Sequence, residues 1–138
     1  MATALARGFI RAKLVGPGQV IASDPVAGAR TAFAKETEAK VADSNKEVVQ
    51  FAKVIFLAVK PDQVASVLAE VREHFTSEHL LISIAAGVPI AKLEGGLSPG
   101  ARVIRVMPNT PALVGESATA YAPGKSATSA DAELAQKL

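Results

Sequence analysis

Apolar residues along this chain fall into two alternating rhythms: short unbroken runs, and longer stretches spaced three and four apart. The first stretch is helical, with Leu5, Phe9 and Ile10 on one stripe of Ala2 to Lys13. Gly16-Pro17-Gly18 breaks the chain, and Gln19 to Ala22 reads as a short buried strand ending at Ser23-Asp24-Pro25. A small-residue helix is expected over Ala27 to Lys35 and another short strand over Lys40 to Ala42. Asn45 is placed to cap a helix running to about Phe51, with Glu47 in its first turn. Val54 to Val59 is a continuous apolar run rich in β-branched residues, the pattern of a central strand buried on both faces.

After that run, Pro61 suits a first helical turn, and Val64, Val67, Leu68, Val71 and Phe75 follow at helical spacing. The cycle repeats with Leu80 to Ala85 as strand, Gly87 as turn, Pro89 to Leu97 as helix and Arg102 to Met107 as strand. Ser117 to Ala122 is expected as a last strand and Ser129 to Leu138 as a last helix. Strand and helix alternating at this spacing imply a parallel sheet with right-handed crossovers, so the fold class is α/β. No repeat, low-complexity tract or long linker interrupts it.

Composition narrows this picture. The 138 residues make one domain at most, since domains cluster near roughly 100 to 150 residues. With 49% apolar and 20% charged residues the chain can bury a core and is not disordered. Aromatic residues are 4% and Trp is absent, which leaves Ala, Val, Ile and Leu to build a core in which helices approach a sheet closely. A net charge of +2, with dispersed Lys and Arg, argues against a nucleic-acid partner.

The absence of cysteine excludes disulfides, a thiolate nucleophile and Cys-based zinc, and fits a cytoplasmic protein. Apolar runs fall far short of the roughly 18 residues a membrane helix needs, so no membrane partner is expected. Met1 to Ser23 carries Arg7, Arg11 and Lys13 with no acid before Asp24, a composition that an organellar transit peptide shares with an ordinary first helix.

Candidate chemistry gathers at strand ends. Ala58-Val59-Lys60-Pro61, Ala85-Ala86-Gly87-Val88 and Met107-Pro108-Asn109-Thr110-Pro111 each follow a strand with small residues, Gly or Pro. Ligands of open parallel sheets lie beyond the carboxyl ends of the strands, and small residues there permit close approach of a flat cofactor ring. Each segment alone reads as ordinary loop chemistry; three together point to a binding edge.

Other motifs fail on context. Gly124-Lys125-Ser126 ends like a phosphate loop, but Thr119 stands where its first glycine belongs. Gly16-Pro17-Gly18 precedes a strand instead of following one. His74 and His79 lack the spacing of a ligand pair and read as surface residues, so no metal site is expected. No nucleophile elbow or acid-base carboxylate pair is present, and hydrolytic chemistry has no support.

The segment Val103 to Pro111, extended through Ala112-Leu113-Val114-Gly115-Glu116, closely resembles pyrroline-5-carboxylate reductase. Agreement continues at Val54 to Pro61, Ser83 to Val88, Asn45-Lys46-Glu47 and Ala2 to Phe9, in the family's order. The resemblance implies a Rossmann-type, doubly wound, mainly parallel sheet that binds NADP or NAD and reduces 1-pyrroline-5-carboxylate to proline. It implies that Ala58, Val59, Lys60 and Pro61 line the cofactor, and that Ala85, Ala86 and Gly87 lie near the nicotinamide. Met107, Pro108 and Asn109 would form the loop beside it, and Asn45 would approach the adenosine half. A full-length family member is expected to be a homo-oligomer.

Two departures limit what carries over. In the family a strand and a Gly-x-Gly loop precede the first helix, and Met1-Ala2 correspond to residues just after that loop. The fold is therefore expected to be N-terminally truncated, without its pyrophosphate loop and with a gap of roughly 10 Å, two strand spacings, or a new pairing beside the central strand. The helical domain that pairs subunits and holds the imino acid is also absent, so no catalytic residue follows.

Cofactor choice stays open between NADP and NAD. Asp24 suits a ribose 2′-hydroxyl, Ser23 and Arg30 suit a phosphate, and Asp24-Pro25 also reads as a plain helix-start turn. A non-catalytic dinucleotide-binding remnant and a related NAD(P)-dependent reductase with another substrate are the competing readings.

Overall fold

The computed structural model describes residues 1–107 and 120–138. Six helices and six strands are placed among them: α1 (Ala2–Arg11), β1 (Ile21–Ser23), α2 (Ala27–Thr37), β2 (Lys40–Ala42), α3 (Asn45–Phe51), β3 (Val54–Leu57), α4 (Val64–Val71), β4 (Leu80–Ser83), α5 (Ile90–Gly96), β5 (Arg102–Met107), β6 (Ala120–Pro123) and α6 (Ser129–Lys137). Single 3-10 turns at Pro17–Gln19 and Pro61–Gln63 begin with the prolines that terminate the preceding segments.

The strands form two sheets. β3, β4 and β5 run parallel, with Leu57 beside Ser83 and Ser83 beside Arg105. β6 closes that sheet antiparallel to β5, with Arg105 beside Ala122. β1 and β2 make a separate parallel pair, Ser23 beside Ala42. Of the two outcomes expected at the missing strand, a gap or a new pairing, no new pairing occurs among the described residues: β1 pairs only with β2, and β3, expected to be central, pairs only with β4 and stands at the edge of its sheet.

Alternation in the strands divides the core. Ile55, Leu57, Leu81 and Val103 face one side, where Val49 of α3, Val64 and Leu68 of α4 and Leu93 of α5 cover them. Leu80, Ile82 and Ile104 face the other, beside Phe56 of β3 and against Leu134 and Ala135 of α6. Helices on both faces are what near-continuous apolar strands require. α1 lies against α2 through a small cluster of Ala6, Phe33 and Ala39, and Phe9 of α1 stacks on Phe56.

Several sequence expectations shift by local chemistry. Ser44, not Asn45, caps α3: its side chain accepts from the Glu47 N–H, and Asn45 is the first helical residue. The strand expected at Ser117 to Ala122 is described from Ala120, as an antiparallel edge.

His79, expected at the surface, is buried. Its Nδ1 accepts from the Thr76 N–H at 2.9 Å, and its Nε2–H donates to the Val49 carbonyl at 3.0 Å. A carbonyl can only accept, so the ring is the Nε2–H tautomer and serves as a bracket between α3 and the turn before β4.

Candidate functional site

The register row Leu57, Ser83, Arg105 defines one edge of the larger sheet, because three parallel strands reach it in step. Ala58 to Lys60, Ile84 to Gly87, and Val106 to Met107 rise beyond that row. Ala58 and Val59 are half-buried, and Lys60 and Pro61 are exposed. Pro61 opens the turn into α4, where the Gln63 N–H donates to the Lys60 carbonyl at 3.0 Å.

Beside it, the Ile84 N–H donates to the Leu57 carbonyl at 3.1 Å, which holds the β4 loop against β3. The hydroxyl of Ser83, itself fully buried, accepts from the Ala85 N–H at 3.3 Å and starts the bend. Ala85 is buried, Ala86 and Gly87 are exposed. Gly87 turns the chain at φ +71 with open space around its missing Cβ, so backbone conformation and not crowding demands glycine here. Met107 is the last described residue of its loop and is exposed. Pro108 and Asn109 lie outside the described residues.

At the carboxyl ends of the smaller sheet, Ser23 and Asn45 meet directly: the Ser23 hydroxyl donates to Asn45 Oδ1 at 2.6 Å. Asn45 Nδ2 donates to Glu70 Oε2 at 2.7 Å, and the Asn45 backbone N–H to Glu70 Oε1 at 3.2 Å. Glu70 belongs to α4, so this chain of bonds joins the β1–β2 unit to the larger sheet's helices. Sequence reading missed Glu70, since a single exposed Glu on an amphipathic helix has the pattern of a solvated face.

Asp24 stands differently from its neighbour. Its Oδ1 accepts from the Val26 N–H at 2.8 Å, the turn chemistry of a helix start. Its carbonyl accepts from Arg30 Nη1 at 2.6 Å, and Arg30 Nη2 sits 2.9 Å from Asp43 Oδ1. The helix-start turn noted for Asp24 is thus present, made by one carboxylate oxygen, and the other oxygen is not engaged by it.

Small residues and backbone at Ala58, Val59, Ala85, Ala86 and Gly87 leave room at the edge for a flat ring, flanked by Lys60, Pro61, Ile84 and Met107. An open hollow of about 470 Å³ lies at the opposite pole, before β3 and β4, lined by Lys53, His74, Glu78 and His79 among others. Its charges are already matched, Lys53 to Glu78, and both His79 ring nitrogens are bonded. Among the described residues no group of three or more His, Cys, Asp or Glu is placed to hold a metal ion. No described helix is long and apolar enough to cross a membrane.

A doubly covered, mainly parallel sheet with small-residue loops at its carboxyl edge is a Rossmann-type arrangement. The chain belongs to the family of NADP oxidoreductases described as coenzyme F420-dependent, whose model matches residues 1–87.

Over its full length it is similar to pyrroline-5-carboxylate reductases. It is 42% identical to that of Methanosarcina acetivorans, covering 100% of this chain and 51% of the relative. It is also 42% identical to pyrroline-5-carboxylate reductase 3 of Mus musculus, covering 50% of it. The chain therefore spans about half the length of the curated relatives it matches.

Among solved structures, a pyrroline-5-carboxylate reductase from Coxiella burnetii superposes with a TM-score of 0.91 at 28% identity, over 99% of this chain and 50% of that one. The Plasmodium falciparum pyrroline carboxylate reductase with NADP bound gives 0.85 at 33% identity, over 98% and 48%. The Rossmann-type, mainly parallel α/β expectation holds.

Proposed function

We propose that this chain is the cofactor-binding part of a pyrroline-5-carboxylate reductase, the enzyme that reduces 1-pyrroline-5-carboxylate to proline with NADPH or NADH in the last step of proline biosynthesis. The observation that carries the reading is its similarity to such reductases along the whole chain, loops of the carboxyl edge included. Ala58, Val59, Lys60 and Pro61 would line the cofactor, Ala85, Ala86 and Gly87 would lie at its nicotinamide side with Met107, Pro108 and Asn109, and Ser23, Asp24 and Asn45 would face the adenosine half. Bound there, the cofactor supplies the hydride. These residues bind, orient and exclude water, which is why the edge needs no acid, base or nucleophile of its own.

The imino-acid pocket and the contacts of a homo-oligomer belong, in this reading, to the part of the relatives this chain does not match. Residues 1–138 are then a partial dinucleotide-binding domain. A cytoplasmic location is part of the same reading and rests on the absence of cysteine.

The test is turnover by the longest protein that carries this sequence. Oxidation of NADH or NADPH that depends on 1-pyrroline-5-carboxylate and yields proline is expected. Hydride transfer only to other acceptors, such as a deazaflavin, would replace the reading with the family's broader description.

A further inference from the structure

We infer that Glu70 sets the hydrogen-bonding polarity of the adenosine-side residues, and through them favours NADH over NADPH. The inference rests on the proposed reading that Ser23, Asp24 and Asn45 face the adenosine half.

The argument starts at the carboxylate. An ionised Glu accepts hydrogen bonds and donates none. With Oε1 toward the Asn45 N–H and Oε2 toward Asn45 Nδ2, Glu70 forces the amide of Asn45 to present its NH2 to α4. The amide oxygen must then point the other way, where the Ser23 hydroxyl donates to it at 2.6 Å. Ser23 has a single O–H, and this bond consumes it.

What Ser23 can offer a ligand is therefore lone pairs only. Asp24, next along the chain, adds a carboxylate with one oxygen already in the turn. Arg30, the cation nearest in the chain, is held by the Asp24 carbonyl and by Asp43, with its side chain 20% exposed. Ser23 Oγ and the second Asp24 carboxylate oxygen thus make an array of acceptors at the end of β1, beside a guanidinium already bonded to the Asp24 carbonyl and Asp43.

A ribose diol brings two O–H donors and satisfies such an array. A 2′-phosphate brings only acceptor oxygens and nearly two negative charges at neutral pH, and meets unpaired acceptors. Glu70 touches no ligand in this scheme; it is a positioning residue that acts through Asn45 on Ser23.

Replacing it with Gln removes the constraint. A Gln side chain can donate, which lets the Asn45 amide turn over, present its NH2 to Ser23 Oγ and release the Ser23 O–H to donate outward. The substitution also removes a charge, so a control must separate polarity from charge. Ser23→Ala supplies it, because a general charge effect survives that change and the relay does not.

The experiment is calorimetric titration, with NADH and with NADPH, of the longest protein that carries this sequence and of its Glu70→Gln, Ser23→Ala and double variants. NMR of the Asn45 side-chain amide is recorded on the same samples. The unaltered protein is expected to bind NADH at least about tenfold tighter than NADPH, one charge-assisted hydrogen bond's worth of discrimination. Glu70→Gln should narrow that ratio several-fold and move the Asn45 amide signals, and in the Ser23→Ala background it should leave the ratio unchanged.

Binding of both nucleotides with a ratio insensitive to Glu70→Gln, or a preference for NADPH, overturns the inference alone. An equal change of ratio with Ser23 absent reduces Glu70 to a bulk charge and overturns it as well. If neither nucleotide binds, the cofactor reading of these residues fails, and the inference with it.

Discussion

Phe9 of α1 and Phe56 of β3 stack with ring centroids 5.2 Å apart and planes tilted by 42°. No backbone pairing joins the two sheets among the described residues, so side chains must hold them in place. This contact ties α1 and the β1–β2 unit to the larger sheet from one face, and the Ser23–Asn45–Glu70 chain does so through α3 and α4. Phe9→Ala is expected to cost about 3 kcal/mol, the lower end for a buried aromatic because Phe56 keeps part of its cover. Urea unfolding measures it. A loss under about 1 kcal/mol would mean the ring pair is not a structural tie.

Gly95 and Gly96 are neighbours at the end of α5 with opposite surroundings. A Cβ on Gly96 would lie 2.7 Å from Leu68 Cδ1 and 3.0 Å from Leu68 Cβ, while nothing stands within 4 Å of one on Gly95. Leu68 is fully buried and cannot retreat. Gly96→Ala should therefore destabilise by about 1 to 3 kcal/mol through overpacking. Gly95→Ala should stabilise by about 0.5 kcal/mol through backbone entropy. Thermal melts of the pair check the sign, and equal shifts would contradict the close α4–α5 contact.

Asp131 is the buried carboxylate among the described residues. It accepts from Arg102 Nη1 at 2.7 Å, from the Thr128 N–H at 2.8 Å and from the Thr128 hydroxyl at 2.9 Å. Arg102 also donates to the Ser77 and Glu78 carbonyls, so one guanidinium joins β5, α6 and the turn before β4. Asp131→Ala should cost about 3 kcal/mol, since it removes the Asp131 half of the α6 capping box and strands a half-buried cation. Denaturation of this variant beside Arg102→Ala and the double variant gives the coupling; additive losses would show the pair is not coupled.

Much of this architecture was legible because its signals are local. The unbroken run at Val54 to Val59 had to be a strand covered on both sides, and the spacing of Val64, Leu68 and Val71 had to be a helix lying on it. The loops after β3 and β4 were legible for the same reason, since small residues and a proline sit next to the strands they follow. Relations between distant elements were not. Ser44 and Asn45 are both capping residues, and only backbone placement decides which one caps. His79 read as a surface histidine because its partner Val49 lies thirty residues away in another element. Glu70 meets Asn45 across 25 residues, and nothing in its own neighbourhood announces the contact.

Lys53 and Glu78 give a pH-dependent test at the pole away from the proposed cofactor edge. A hydrogen bond from Lys53, and then its charge, hold the Glu78 carboxyl below its ordinary range. A depressed carboxylate contributes stability above its ordinary value and loses it as pH falls through the folded one. Both side chains are largely exposed, so the contribution is small and salt-sensitive. Lys53→Ala should move the Glu78 titration upward, and its stability deficit should close as pH falls through the carboxylate range. Carbon-13 NMR of the carboxyl follows this directly, and an unmoved titration would contradict the pairing.

The central claim is that this chain carries a dinucleotide edge at the carboxyl ends of its parallel strands. Backbone amide NMR of the longest protein that carries this sequence, titrated with NADH, tests it most directly. Saturable shifts are predicted at Ala58, Val59, Lys60, Ala85, Ala86 and Gly87, and at Ser23 and Asn45, with Lys53, His74 and Glu78 at the opposite pole unmoved. Shifts confined to that opposite pole, or none anywhere at millimolar cofactor, would contradict it.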